Sequence, residues 1–247
     1  MSDSLYGAPE SPLVPAATKP PTLLEQIEGI FTAPKALFER LHRGPSWVPA
    51  LLLTMVLAVL VTVAWGLKVD ADAMLRPAME RNPNMSADQI DQAIQMGSKF
   101  ILFGGLFFSL IGIPVFVLIG GLLNWALGRG LGEPGANPPS YLHGLSAAVI
   151  PGLVRLPETL IILAICLLKP IGGHKPDQVA PTSLGYFIQT ASPKLQALLY
   201  ALNPFTIASL VLTYLAMRHL VKARPAGAAL VVGIYVAIML LGVAFAR

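Results

Sequence analysis

The chain has 247 residues, of which 55% are hydrophobic and only 12% charged, and its mean hydropathy is +0.67. A soluble domain of this size needs far more charge to cover its surface, so a soluble enzyme is excluded and an all-α polytopic membrane bundle is expected. The formal charge of +4 does not indicate nucleic acid, because no Lys/Arg run is long enough to track a phosphate backbone. The basic residues instead flank apolar runs, where they set topology and meet lipid headgroups.

Residues 1–21 contain Pro9, Pro12, Pro15, Pro20 and Pro21 and little to bury. They are expected to form a disordered, cytoplasmic tail. The first long apolar run begins only at Trp47, so no cleaved signal peptide is expected.

An amphipathic interfacial segment follows over residues 22–44. Thr22 and Glu25 have capping-box spacing, and Leu24, Ile27, Ile30 and Phe31 repeat at helical intervals. After Pro34, the apolar face continues through Leu37, Phe38 and Leu41, while Lys35, Arg40 and Arg43 point elsewhere. The segment is too short and too charged to span a bilayer but suits a helix lying at its surface. Phe31, Pro34, Phe38 and, beyond it, Trp47 are the expected interfacial anchors.

Residues 45–247 are expected to form the membrane domain, with five spans over about 47–66, 100–126, 142–168, 204–220 and 226–246. The first, about 20 uncharged residues, matches a hydrocarbon layer roughly 30 Å thick. A polar excursion from Lys68 to Lys99 contains a second capping box, Ser86 to Gln89. The second span is interrupted by Gly112 and Pro114, and the third contains Pro151, Arg155, Pro157 and Glu158. Another polar excursion ends in a short apolar helix opened by Ser192-Pro193, and Asn203-Pro204 then restarts the chain into the fourth span. Five spans place the termini on opposite sides. Basic residues are equally numerous on the two sides, but Arg218, Lys222 and Arg224 are concentrated in one short hinge. That concentration favours a cytoplasmic N-terminus and an outer C-terminus.

The segment Phe31-Thr32-Ala33-Pro34-Lys35-Ala36-Leu37-Phe38-Glu39-Arg40-Leu41 resembles the F-T-x-P-x-x-x-F-x-x-L lead-in of bacterial YIP-domain proteins, relatives of the eukaryotic Ypt/Rab-GTPase-interacting membrane proteins. Pro45-Ser46-Trp47-Val48-Pro49 is similar to the family's Trp/Pro-rich approach to its first span. Tyr141 and Pro151 resemble its third-span pattern, and Asn203-Pro204-Phe205 sits where members often carry an acidic residue and a Phe. The sequence departs from the pattern at Asn203, which is not acidic, and at Ala208, where a tryptophan is usual. The resemblance implies five spans in a bacterial inner membrane, no catalytic activity and a scaffold or accessory role, some bacterial members standing alongside ABC-type exporters.

Arg155 and Glu158 lie three apart, so they share a helix face and can pair. Their span places them near the bilayer midplane, where an ionisable group costs about 2.5–3.5 kcal/mol on insertion scales. Two readings stand: a self-neutralising pair that ties this helix to a neighbour, and a midplane site for a transported solute. Pro114, Pro151, Pro157, Asn203 and Pro204 mark helix breaks. Gly105, Ser109, Gly120 and Gly233 are small residues that allow close helix contacts, within the chain or in a homo-oligomer.

Gly130-Leu131-Gly132-Glu133-Pro134-Gly135 matches G-x-G-x-x-G, yet a span precedes it where the phosphate motif needs a strand, so it reads as a loop. Cys166 is alone, the four histidines lack metal spacing, and Ser146 with His143 lacks a third, orienting group. Neither cofactor nor metal nor enzymatic activity is expected. The expected partners are membrane lipids and another integral membrane protein such as an exporter permease. A small-solute carrier and a lipid- or curvature-binding protein are the alternatives.

Overall fold

The computed structural model describes residues 19–81, 84–135 and 137–245; most of the expected N-terminal tail and Arg247 lie outside them. Among the described residues the regular structure is helical, with two isolated bridges, Val69–Gly172 and Gly132–Ala223.

Helix α1 (Leu23–Thr32) is opened by the expected capping box: Glu25 N–H donates to Thr22 Oγ1 at 3.3 Å, and Thr22 N–H donates to Glu25 Oε2 at 2.6 Å. Ala33 leaves helical geometry, and Pro34 restarts the chain as the first residue of α2 (Pro34–Arg43), where its missing N–H costs nothing. The two helices form a hairpin, clipped by both terminal nitrogens of Arg40 on the Glu25 carboxylate at 3.0 and 3.2 Å. The Thr22 backbone N–H, followed by Arg40, holds the Glu25 carboxyl down at a pKa of about 2.

Spacing alone assigned the hairpin's apolar face to lipid. In the structure protein covers most of it. Phe38 and Leu41 are fully buried, Ile30 and Leu37 nearly so, in a core shared with Ile150, Leu153, Met217 and Leu220. Phe31 stays 49% exposed. Periodicity identifies an apolar face but not what covers it.

Helix α3 (Val48–Gly66) is the first crossing. Beyond it, Asp70 caps α4 (Ala71–Met79), and Ser86 with Gln89 forms the second capping box, at the start of α5 (Ala87–Phe107). Gly112 and Pro114 are expected to interrupt the second span, but α5 runs on through a π turn, Phe108–Gly112, into α6 (Ile113–Gly130), giving one helix of 44 residues. At about 1.5 Å per residue it reaches roughly 66 Å, twice the hydrocarbon thickness, so its N-terminal part stands outside the membrane. The π turn lies just before Pro114, where the widened register takes up the missing proline N–H without a break.

Helix α7 (Tyr141–Val149), a 3₁₀ segment (Ile150–Arg155) and α8 (Leu156–Leu168) together form the third crossing. The α6–α7 hairpin is pressed together at glycines: a Cβ on Gly144 would lie 2.2 Å from the Gly121 carbonyl. Short helices α9 (Pro176–Val179), α10 (Leu184–Phe187) and α11 (Pro193–Ala201) lead into α12 (Pro204–His219). Helices α11 and α12 pass as a membrane span only together, and they bend by 59° at their junction. Helix α13 (Pro225–Ala244) completes the chain. The molecule is thus an all-α polytopic bundle; among the described residues four helices are apolar and long enough to cross, with a fifth crossing if the bent pair is one span.

Loops sort to the two ends. At one, the His42 ring bonds the Leu220 carbonyl at 2.8 Å, the His143 ring bonds the His42 carbonyl at 2.9 Å, and Glu133 N–H donates to the Lys222 carbonyl at 2.9 Å. Burial pushes the His42 pKa down, favouring the neutral ring. At the other end, Trp65 Nε1–H donates to the His174 carbonyl at 2.8 Å and Asp70 N–H to the Gly172 carbonyl at 2.9 Å.

Truncating the two hairpin phenylalanines separates a protein-packed role from a lipid-facing one. Phe38→Ala should cost about 3–5 kcal/mol, whereas Phe31→Ala should stay within about 0.5 kcal/mol. Thermal melts in mild detergent measure both, and equal losses would contradict the packing.

Candidate functional site

Pro151 and Pro157 each lack an N–H, and the chain between them tightens into the 3₁₀ turn that ends at Arg155. Helix α8 starts afresh at Leu156, with Pro157 in its first turn. This restart places Glu158 in the first turn of a helix, the end where negative charge is favoured. Its side chain is 6% exposed.

Glu158 collects donors from three parts of the chain. Arg155 Nε–H donates to Oε2 at 2.9 Å. Thr182 Oγ1–H donates to Oε1 at 3.3 Å, and the Asn203 side-chain amide donates to the same oxygen. The other face of the Asn203 amide caps α12: its Oδ1 accepts from Phe205 N–H at 2.8 Å and Thr206 N–H at 3.4 Å. One carboxylate therefore joins the third crossing, the 180–183 loop and the break that opens the fourth. The sequence reading marked Asn203 as a break and Glu158 as one of a pair without linking them. Thr182 carried no signal at all, because a lone Thr in a loop is indistinguishable from a solvated one.

The two members of the pair differ. The Arg155 side chain is 49% exposed and lines a cavity of about 590 Å³ with Lys175, Asp177, Tyr200, Thr206 and Tyr235. The pair expected from their spacing is thus one buried carboxylate and one guanidinium facing open space.

The small residues divide as well. A Cβ on Gly105 would meet the Thr62 methyl at 2.7 Å, and Ser109 Oγ lies 3.2 Å from Thr62 Oγ1, so both allow α3 to approach closely. Gly120 faces the Tyr235 hydroxyl, whereas Gly233 has nothing within 4 Å. Pro114 follows the π turn, and Trp47 packs partly against the main core. Asn124 is fully buried, its amide donating to the Gly144 carbonyl at 3.4 Å and its oxygen accepting from the Tyr235 hydroxyl at 3.4 Å.

The glycine-rich loop is a strut. Gly132 bridges to Ala223, Arg224 N–H donates to the Leu131 carbonyl at 2.8 Å, and Arg218 holds Glu133 at 2.7 Å. The His143 ring engages Ser140 N–H at 2.9 Å and the His42 carbonyl, and Ser146 Oγ is buried with no hydrogen-bond partner among the described residues. Those two residues make no nucleophile–base pair. Among the described residues no three metal-ligand side chains converge.

A family model described as the Yip1 domain matches residues 29–246, and the chain belongs to that family. No curated protein and no solved structure matches it.

At position 203 the clasp needs an amide. Asn203→Asp keeps the cap but sets a second carboxylate against Glu158, and should cost about 3–5 kcal/mol, as uncompensated buried charge does. Adding Glu158→Gln should recover most of the loss, giving a positive coupling in a four-variant cycle of melts. An Asn203→Asp protein as stable as the parent would show that the contact is not made.

Proposed function

We propose that this Yip1-domain protein is a non-enzymatic integral membrane scaffold or accessory subunit that binds another membrane protein through the sides of its crossings, an ABC-type exporter permease being the partner implied by the resemblance. The observation that carries the reading is how little of its apolar surface the chain covers itself: in the 44-residue helix, only 17% of the most apolar stretch is buried. Met96, Phe100, Phe103 and Phe107 recur at helical spacing on that helix and are all more than 60% exposed. Gly104, within this stretch, has nothing within 4 Å. Aromatic side chains beside a small residue suit a neighbouring helix.

The cavity at Arg155 favours a second reading, a carrier for a small solute. Against it, the Glu158 charge is committed to three donors, and the hairpin core around Ile150, Leu153, Met217 and Leu220 is fully buried, so any path toward that end meets packed side chains. Lipid sensing through the hairpin draws less support, because Phe38 and Leu41 are sheltered by protein.

The proposed site of action is a bacterial inner membrane, with the hairpin end cytoplasmic. Arg218, Lys222 and Arg224 lie in and beside a short turn at that end, the arrangement most strongly retained inside. In a Cys166→Ala background, Gly130→Cys should resist an impermeant thiol reagent in intact cells, and Asp88→Cys should react. The reverse pattern would invert the topology.

A photo-crosslinking residue at Phe103 should capture a distinct membrane protein, identified by mass spectrometry, while one at the buried Phe38 should not. Capture of the chain's own copies alone would replace the scaffold by a homo-oligomer. Solute flux into liposomes holding only this chain would favour the carrier.

A further inference from the structure

The cavity beside Arg155 has properties that the clasp does not require. Arg155 gives its Nε to Glu158, yet its terminal nitrogens make no hydrogen bond among the described residues. Glu158 is also served by Thr182 and Asn203, so the guanidinium is not exhausted by its partner. The hydroxyls of Tyr200, Thr206 and Ser209 line the same space and also lack hydrogen bonds among the described residues. Lys175 contributes a second cation to the wall, and Asp177 an opposing anion. Uncommitted donors thus converge from five side chains on a space of about 590 Å³, a size typical of small-ligand sites.

Beside Gln178 and Gln196, the wall also carries apolar surface from Pro193, Ala197, Leu210 and Met239, on α11, α12 and α13. The 59° bend between α11 and α12 opens the wedge these residues fill. On the segments that lead into α12, Phe187, Ile188 and Leu195 are exposed, as side chains that face hydrocarbon are. A site with a planar, two-pronged cation and hydroxyls at one end and apolar surface at the other fits an amphiphile with an anionic head. Arg recognises phosphate through two parallel N–H donors.

We infer that this cavity binds the phosphate of an anionic phospholipid, its oxygens on the Arg155 terminal nitrogens and the Lys175 ammonium, with the acyl chains leaving along Leu210 and Met239. Asp177 weakens the site, and Lys175 strengthens it without touching the clasp. Those two residues separate headgroup binding from bundle stability.

The test uses the full chain, purified in neutral detergent and titrated with phosphatidylglycerol, phosphatidylcholine or inorganic phosphate, with melting temperature and native mass spectrometry as readouts. Phosphatidylglycerol should raise the melting temperature saturably and remain bound in the gas phase. Lys175→Gln should weaken half-saturation about tenfold, the size of one charge-assisted hydrogen bond, and Asp177→Asn should tighten it. The double variant Arg155→Gln/Glu158→Gln, which leaves no unpaired charge in the clasp, should fold and lose the response. The same saturable shift with inorganic phosphate alone would assign the site to a free anion and overturn the lipid. Equal responses to both lipids, unchanged in Lys175→Gln and Asp177→Asn, would overturn the site itself.

Discussion

A carboxylate inside an apolar bundle is tolerated only where donors surround it, and the architecture around Glu158 follows from meeting that demand. Taking an ion out of water costs several kcal/mol even after relaxation, so Glu158 draws in Arg155 from one turn earlier, Thr182 from a loop and Asn203 from the next crossing. These contacts tie the point where the third crossing changes from 3₁₀ to α to the break where the fourth begins. Two helix breaks that would each leave backbone groups exposed to lipid are thereby brought together and capped by side chains. Asn203 does both tasks with one amide, its oxygen closing α12 and its nitrogen facing the carboxylate.

The same requirement, that no backbone polar group be left bare in hydrocarbon, explains how the other prolines are accommodated. Pro34 and Pro204 stand at the first position of a helix, where no N–H is needed. Pro114 lies deep in an apolar run, and there the helix widens into a π turn rather than stopping. Ser109, within that turn, donates to the Gly105 carbonyl at 2.9 Å and meets Thr62 on α3. The turn is therefore braced by a neighbouring crossing, a contact that only a glycine at position 105 leaves room for.

Around this centre the two ends are built differently. The hairpin end is closed by packing, with α1 and α2 laid over α12 and the 3₁₀ segment. The opposite end is closed mainly by hydrogen bonds between loops and by a smaller core at Trp65, Cys166 and Ile171. The asymmetry agrees with a molecule that anchors itself firmly on one side while leaving a wedge beside Arg155. Membership of the Yip1 family accounts for the general plan, and the clasp and cavity are read from this chain's own residues.

Much of the plan was legible from local pattern. Apolar runs long enough to cross a membrane, the capping boxes at Thr22 and Ser86, the proline restart at 204, and the three-residue spacing of Arg155 and Glu158 are all consequences of helical periodicity and backbone chemistry, which neighbouring residues settle among themselves. The rest depended on contacts between distant segments. Periodicity located the face bearing Phe38 but not whether lipid or Met217 covers it, because both are apolar. Pro114 signalled a break, but the helix widens into a π turn whose Ser109 meets Thr62 across the interface. Charge spacing paired Arg155 with Glu158, yet the second and third donors come from residues 24 and 45 positions away. No local pattern carries that information. Those choices belong to the tertiary structure, where a buried charge is satisfied by whichever donors the folded chain brings within reach.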